Sequence, residues 1–304
     1  MRAAAAAGDG KTSGATAVGR RSALVGGGGV AFLLGRPCAA AAASGIPADV
    51  LYANALKATQ AGEWENAASM WAESNAAYLS RPRVGPPGAT ETGVNLRNGL
   101  RLRGICLTEL GRFDEALHEL EDAKSLIPGS DVELARGGAL LGRGDYGQAV
   151  EAFDEVIRVQ PSDRPSVLAA LAWDNKGVAL GRMNDWAGAR AAHGRATRFV
   201  VAEGRVGPRF REVLAGYEAG ELQREDAAKI VRNEVASGRG DAAASADAQA
   251  ALAALDAGAR DKAWARALEV QPLFADAKWR AATLPSRGWG PSALADLDAL
   301  AQGS

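Results

Sequence analysis

The feature that most constrains this chain is a set of residue types that recur in phase. From Asn98 to Pro128 the order is Leu100, Gly104 and Leu107, then Gly111 and Phe113, then Ala116, Leu120, Ala123 and Pro128. The next stretch fills the same slots with Gly137, Leu140, Gly144, Tyr146, Ala149, Phe153, Val156 and Pro161. The turn glycines Gly111 and Gly144 are 33 positions apart (111 to 144). A third copy has Trp173, Gly177, Leu180, Trp186, Ala189 and Ala196, with His193 in the aromatic slot. An earlier one has Leu51, Gly62, Trp64, Ala67 and Trp71, and the Pro/Gly-rich loop Ser80 to Thr92 follows it.

Each copy reads as a helical hairpin. Small Gly and Ala let two helices approach closely, the turn aromatic fills the gap above them, and Pro cannot continue the second helix. One such hairpin cannot bury its apolar face alone, so several must stack into a continuous core. The spacing and slots resemble the tetratricopeptide repeat family, whose period is about 34 residues. The resemblance implies an all-α, right-handed α-solenoid with first helices lining its concave side. Helix-rich composition agrees, with 47% hydrophobic residues, few aromatics and glycines that far outnumber prolines.

Beyond residue 203 the pattern decays. Phe210 to Val235 reads as a weak fifth pair, with Leu214, Ala227 and Val231 in place but Arg224 where the turn aromatic should be. Ala244 to Pro272 reads as a sixth, with Trp264, Ala267 and Pro272 matching the second helix, and Gly238 to Asp241 as the loop before it. The predicted domain spans 44–304, with repeats at about 48–79, 97–129, 130–163, 166–202, 208–236 and 241–272, and a cap over 273–304. Within that cap, Ser292 to Leu300 forms an amphipathic helix that would close the end of the stack. Trp279, Arg287, Trp289 and Pro291 make this tail resemble the lumen-common family of chloroplast repeat proteins, which end in a W…R-R-W-P-P element and a short helix. Gly288 and Gly290 replace an Arg and a Pro of that element. The resemblance implies a thylakoid-lumen protein.

Residues 1–43 read as an address. They hold one acid, Asp9, against Arg2, Lys11, Arg20, Arg21 and Arg36, the balance of an organelle presequence. Arg20-Arg21 precedes an apolar run of 13 residues (23 through 35), too short to span a bilayer, which takes roughly 20. Small residues Ala41 to Ser44 then offer a cleavage site. This order is that of a twin-arginine export signal, leading to the thylakoid lumen or, alternatively, to a bacterial periplasm. Ala5 to Thr12 spells a relaxed phosphate loop, A-x-x-x-x-G-K-T, but too few residues precede it to supply the buried strand that such a loop needs.

Charge and motif content argue against several functions. The whole chain has 35 basic and 36 acidic residues; removing 1–43 takes five and one of these, leaving a net charge near −5. Nothing here would hold a phosphate backbone, so nucleic acid is not expected as a partner. The only histidines are His118 and His193, and no paired-cysteine, H-E-x-x-H or Gly-x-Ser-x-Gly motif is present. No catalytic residue, metal or cofactor is expected. Cys106 sits among apolar neighbours and reads as core, His193 as a packed residue, and the acidic run Glu115, Glu119, Glu121 and Asp122 as a solvated face.

What remains is a surface for a protein or peptide client. The phase of the four clear repeats aims Tyr52, Gln60, Asn98, Arg101, Glu109, Asp174 and Arg182 into the groove, with Leu56, Ile105, Leu134, Leu141 and Val178 between them. This mixed lining suits an amphipathic helix or an extended peptide. A second possibility is self-association into a homo-oligomer through Trp279 and Trp289 on an exposed cap.

Overall fold

Small residues set how closely the helices pair. A Cβ added at Gly104 would lie 2.7 Å from Leu120 Cγ, one at Gly137 would lie 2.4 Å from Phe153 Cε1, and one at Gly177 would lie 2.6 Å from His193 Cε1. In each case the bulky residue follows its glycine by sixteen positions (104 to 120, 137 to 153, 177 to 193). Three successive hairpins therefore close on the same contact, glycine on the first helix and a large side chain on the second.

The structure, a computed structural model, describes residues 46–81, 86, 90–159, 166–202, 209–237 and 242–303. The expected presequence, with Arg20 and Arg21, lies outside the described residues, as do the loop 238–241 and most of the Pro/Gly-rich loop after residue 81. Among the described residues there are fourteen α-helices, two 3-10 turns and no strand.

Twelve of the helices form six hairpins. They are α1 (Ala48–Gln60) with α2 (Trp64–Leu79), α3 (Glu91–Glu109) with α4 (Phe113–Leu126), and α5 (Ser130–Arg143) with α6 (Tyr146–Val159). Then come α7 (Val167–Arg182) with α8 (Trp186–Ala202), α9 (Arg209–Glu218) with α10 (Arg224–Ser237), and α11 (Ala242–Leu255) with α12 (Arg260–Val270). Every helix packs on the next, and the first helices α1, α3, α5 and α7 also touch in order, as do α9 and α11. The result is a sequential stack of helix hairpins whose first helices form a row.

The turns explain the register. Gly62, Gly111 and Gly144 adopt φ of 73°, 72° and 97°, a conformation that costs glycine little. Hairpin four has no glycine there, and Asn184 takes φ 63° instead, the residue type that best tolerates it after glycine. The aromatic that opens the second helix in hairpins one to four then fills space that small residues leave. Phe113 lies against Gly142 of the following first helix, and Trp186 against Gly181 of its own hairpin.

Arg224 occupies the aromatic's place in hairpin five and meets the need with polar contacts. Its guanidinium donates to the carbonyls of Ala254 (2.5 Å) and Leu255 (3.2 Å) and to Asp296 (3.1 Å). A cation is favoured there because the last carbonyls of α11 lack helical donors.

The tail departs from the expectation of an end cap. After α12 come a 3-10 turn (Pro272–Ala275), α13 (Ala277–Thr283), a second 3-10 turn (Leu284–Arg287) and α14 (Pro291–Gly303). Rather than closing the far end, α14 packs on first helices α11 and α9, and the turn Leu284–Arg287 reaches α7. Gly288 reverses the chain with φ 88°. Trp289, Leu297 and Leu284 join Phe210, Leu214 and Trp264 in one buried cluster. Trp289 is 2% exposed, which corrects the expectation that it stands on an exposed surface. Trp279 is half-buried, edge-on to Phe274 at 5.3 Å, with the Arg287 guanidinium over its ring.

Candidate partner-binding face of the first helices

The residues predicted to line a groove lie on the row of first helices, and the structure sorts them by what they already touch. Gln60, Glu109 and Arg182 are exposed. Tyr52, Leu56, Asn98, Arg101, Ile105, Leu134 and Leu141 are half-buried. Tyr52 owes its burial to edge-on contacts with Trp71 (4.9 Å) and Tyr78 (6.2 Å), so it supports hairpin one while showing one side to solvent.

Two further positions are tied to the frame. Arg97 grips Asp131 with both ends of its guanidinium and donates to the Ile127 carbonyl (3.3 Å) and to Asn98 (3.0 Å). Arg101 adds a second cation 3.0 Å from the same carboxylate. Burial pushes the Asp131 carboxyl up, but these two arginines outweigh it and hold its pKa below the usual range. Arg101 thus joins α3 to α5. Arg182 lies over the Tyr146 ring, 5.3 Å from its centroid, and donates to the phenol oxygen from Nε (3.0 Å) and from its terminal nitrogen (2.8 Å).

Asp174 and Val178 are not offered to a partner. Val178 is 3% exposed. Asp174 accepts from His193 Nδ1 at 2.8 Å and from the Arg211 guanidinium, which joins α7, α8 and α9. Burial works against its ionisation, yet the hydrogen bond from His193 and the charge of Arg211 prevail, and its pKa is lowered. His193 is 2% exposed, packed as expected, but with a carboxylate partner that no local motif announces. Gly288 of the returning tail passes over His193 and Arg211.

Sequence reasoning missed Leu171. It precedes Gly177 by six positions, as Asn98 precedes Gly104, so the same phase could have found it. Its side chain is 46% exposed. With Leu134, Ile105 and Leu56 it gives the first-helix row an apolar residue in every one of hairpins one to four.

In hairpins five and six the same face is covered by the chain itself. Glu218, at the end of α9, accepts from the backbone N–H groups of Ser292 (3.1 Å) and Ala293 (2.8 Å) at the start of α14. Arg287 donates to Asp247 (3.1 Å), and Asp296 accepts from Tyr217 (3.1 Å) and Arg224. Among the described residues, the tail thus covers this face in hairpins five and six and leaves it open in the first four.

The other candidate groups divide between the core and the surface. Cys106 is buried, and burial pushes its thiol up. Of the acidic run, Glu121 and Asp122 are exposed and Glu115 pairs with Arg112, whereas Glu119 turns inward to Arg103 and is pushed up by burial. Among the described residues no group of three or more His, Cys, Asp or Glu could hold a metal ion, and no helix is long and apolar enough to cross a membrane. The sequence matches no protein-family model and no curated protein.

Proposed function

We propose that this chain is a tetratricopeptide-type α-solenoid acting as a non-enzymatic scaffold or assembly factor, which holds a protein or peptide client on the first helices of hairpins one to four. One observation carries the reading. Those helices touch in order and present Leu56, Ile105, Leu134 and Leu171, partly or fully accessible, beside exposed Gln60 and Glu109. Apolar positions between polar ones over four parallel helices suit an amphipathic helix or extended peptide, whose anchors would enter between the helices.

Delivery to the thylakoid lumen is part of the proposal, with a bacterial periplasm as the alternative. The acid-poor N-terminus, Arg20-Arg21 and the short apolar run support it. Replacing Arg20 and Arg21 by Lys is expected to stop import through the twin-arginine route. Unchanged import would refute the address and leave the scaffold reading intact.

The scaffold itself is tested by affinity capture from a lumen extract, using residues 44–304 and a Leu171→Glu/Glu109→Arg variant. Both substitutions fall at exposed positions, so the fold is retained, unlike at Arg101, where a reversed charge would face Asp131. A client held by the parent protein and lost from the variant is the expected result. A client retained equally by both would place binding elsewhere.

A further inference from the structure

A cleft of about 540 Å³ lies between the second helices α10 and α12, over α11, on elements that the proposed client face does not use. Its apolar wall is Val235, Leu252 and Ala263. The cleft stays open because the residues that could fill it are small: Ala236 on α10 and Ala259 and Ala265 around α12. Helices paired through alanine leave room at their margins that larger side chains fill in tightly packed junctions.

The rim is cationic. Arg232, Lys262 and Arg266 border the cleft, against Glu269 alone of the acids. Arg232 is already answered by Asp256, 2.8 Å from its Nε. Arg266 pairs with Glu269 on the same helix, with side chains 56% and 66% exposed. An exposed pair of this kind contributes little, so a ligand carboxylate can replace Glu269 at small cost. Lys262, one turn before Arg266 on the same side of α12, has no ion pair among the described residues. Two cations available to a ligand thus stand over an apolar hollow large enough for one bulky side chain.

We infer that this cleft is a second docking site, and that its occupant is a peptide segment carrying a large apolar residue flanked by carboxylates. The apolar side chain enters between Val235, Leu252 and Ala263, and the carboxylates meet Lys262 and Arg266. The complementarity is of charge as well as shape, so binding must weaken as salt rises. This site is independent of the client face.

Fluorescence anisotropy tests it with residues 44–304 and a labelled peptide, Glu-Glu-Leu-Phe-Glu-Glu. Saturable binding is expected, weakened at least tenfold by Lys262→Glu/Arg266→Glu and, separately, by Ala265→Trp, which fills the cleft from an exposed position. Leu171→Glu should leave this binding unchanged while abolishing client capture, so the two proposals fail separately. No saturable binding, equal binding of Lys-Lys-Leu-Phe-Lys-Lys, or indifference to both cleft variants would overturn the inference. Saturation by dodecanoate without the peptide would also overturn it, by assigning the cleft to a small amphiphile.

Discussion

His193 donates from Nδ1 to Asp174 Oδ1 across 2.8 Å, joining the second helix of hairpin four to its first from the slot that an apolar side chain fills in hairpins two and three. In hairpins two and three the equivalent bulky residues are Leu120 and Phe153, both 0% exposed. The histidine therefore fills the same volume and also satisfies a carboxylate that α9 shares through Arg211.

This dual role separates two substitutions. His193→Ala leaves a cavity beside Gly177 and strips Asp174 of a donor, at an expected cost of about 3–5 kcal/mol. His193→Phe keeps the volume and loses only the hydrogen bond, at about 1–2 kcal/mol. Chemical denaturation compares them; equal losses would mean that the hydrogen bond alone accounts for the residue, and no loss in His193→Phe that packing alone does.

The lowered pKa of Asp174 makes stability depend on pH in a definite sense. A carboxyl whose folded pKa lies below its unfolded value, about 3.9, contributes stability that is complete above the unfolded value and is lost as pH falls through the folded one. Asp174→Asn should be less stable than wild type near neutrality and should lose stability less steeply below about pH 4, by up to ~1.4 kcal/mol per pH unit. Parallel acid slopes in thermal melts of the two proteins would contradict this.

Adjacent glycines on α5 should respond in opposite directions. A Cβ at Gly137 would meet the Phe153 ring at 2.4 Å, whereas one at Gly138 would meet nothing within 4 Å. Gly137→Ala is expected to destabilise by about 1–3 kcal/mol because the helices must separate. Gly138→Ala should stabilise by about 0.5–1 kcal/mol through helix propensity. Urea unfolding midpoints of the pair give the comparison.

Glu218 acts as an N-terminal cap supplied from a distant helix. Glu218→Ala should cost about 0.5–2 kcal/mol and speed amide exchange at Ser292 and Ala293, leaving α3 to α6 protected. Unaltered exchange at those two amides would show that α14 is held by its apolar face alone.

The four clear hairpins were legible because their signals are local. A small residue, a turn and an aromatic within one repeat specify the same hairpin, and the helices begin at Trp64, Phe113, Tyr146 and Trp186 as the slots require. The face they present was legible by phase, although phase could not tell which residues other elements would claim. Asp174 reads as groove-lining until Arg211, 37 positions away, is seen beside it. Trp289 reads as exposed because its neighbours in sequence are two glycines, while in space it belongs to the buried cluster that holds Phe210, Leu214 and Leu252. Arg224 broke the pattern and yet served its purpose, since the carbonyls it meets belong to another hairpin.

The return of α14 also gives the fold a direction in time. Hairpins one to three close on contacts made within each hairpin or with the next, so each can form as it leaves the ribosome. Glu218, by contrast, caps Ser292 only 74 positions later, and Arg287 reaches back 40 positions to Asp247. The first-helix faces of hairpins five and six thus stay uncovered until α14 has been made. A product that stops short of α14 would keep its front hairpins closed and leave the apolar first-helix surface of the rear two open to water.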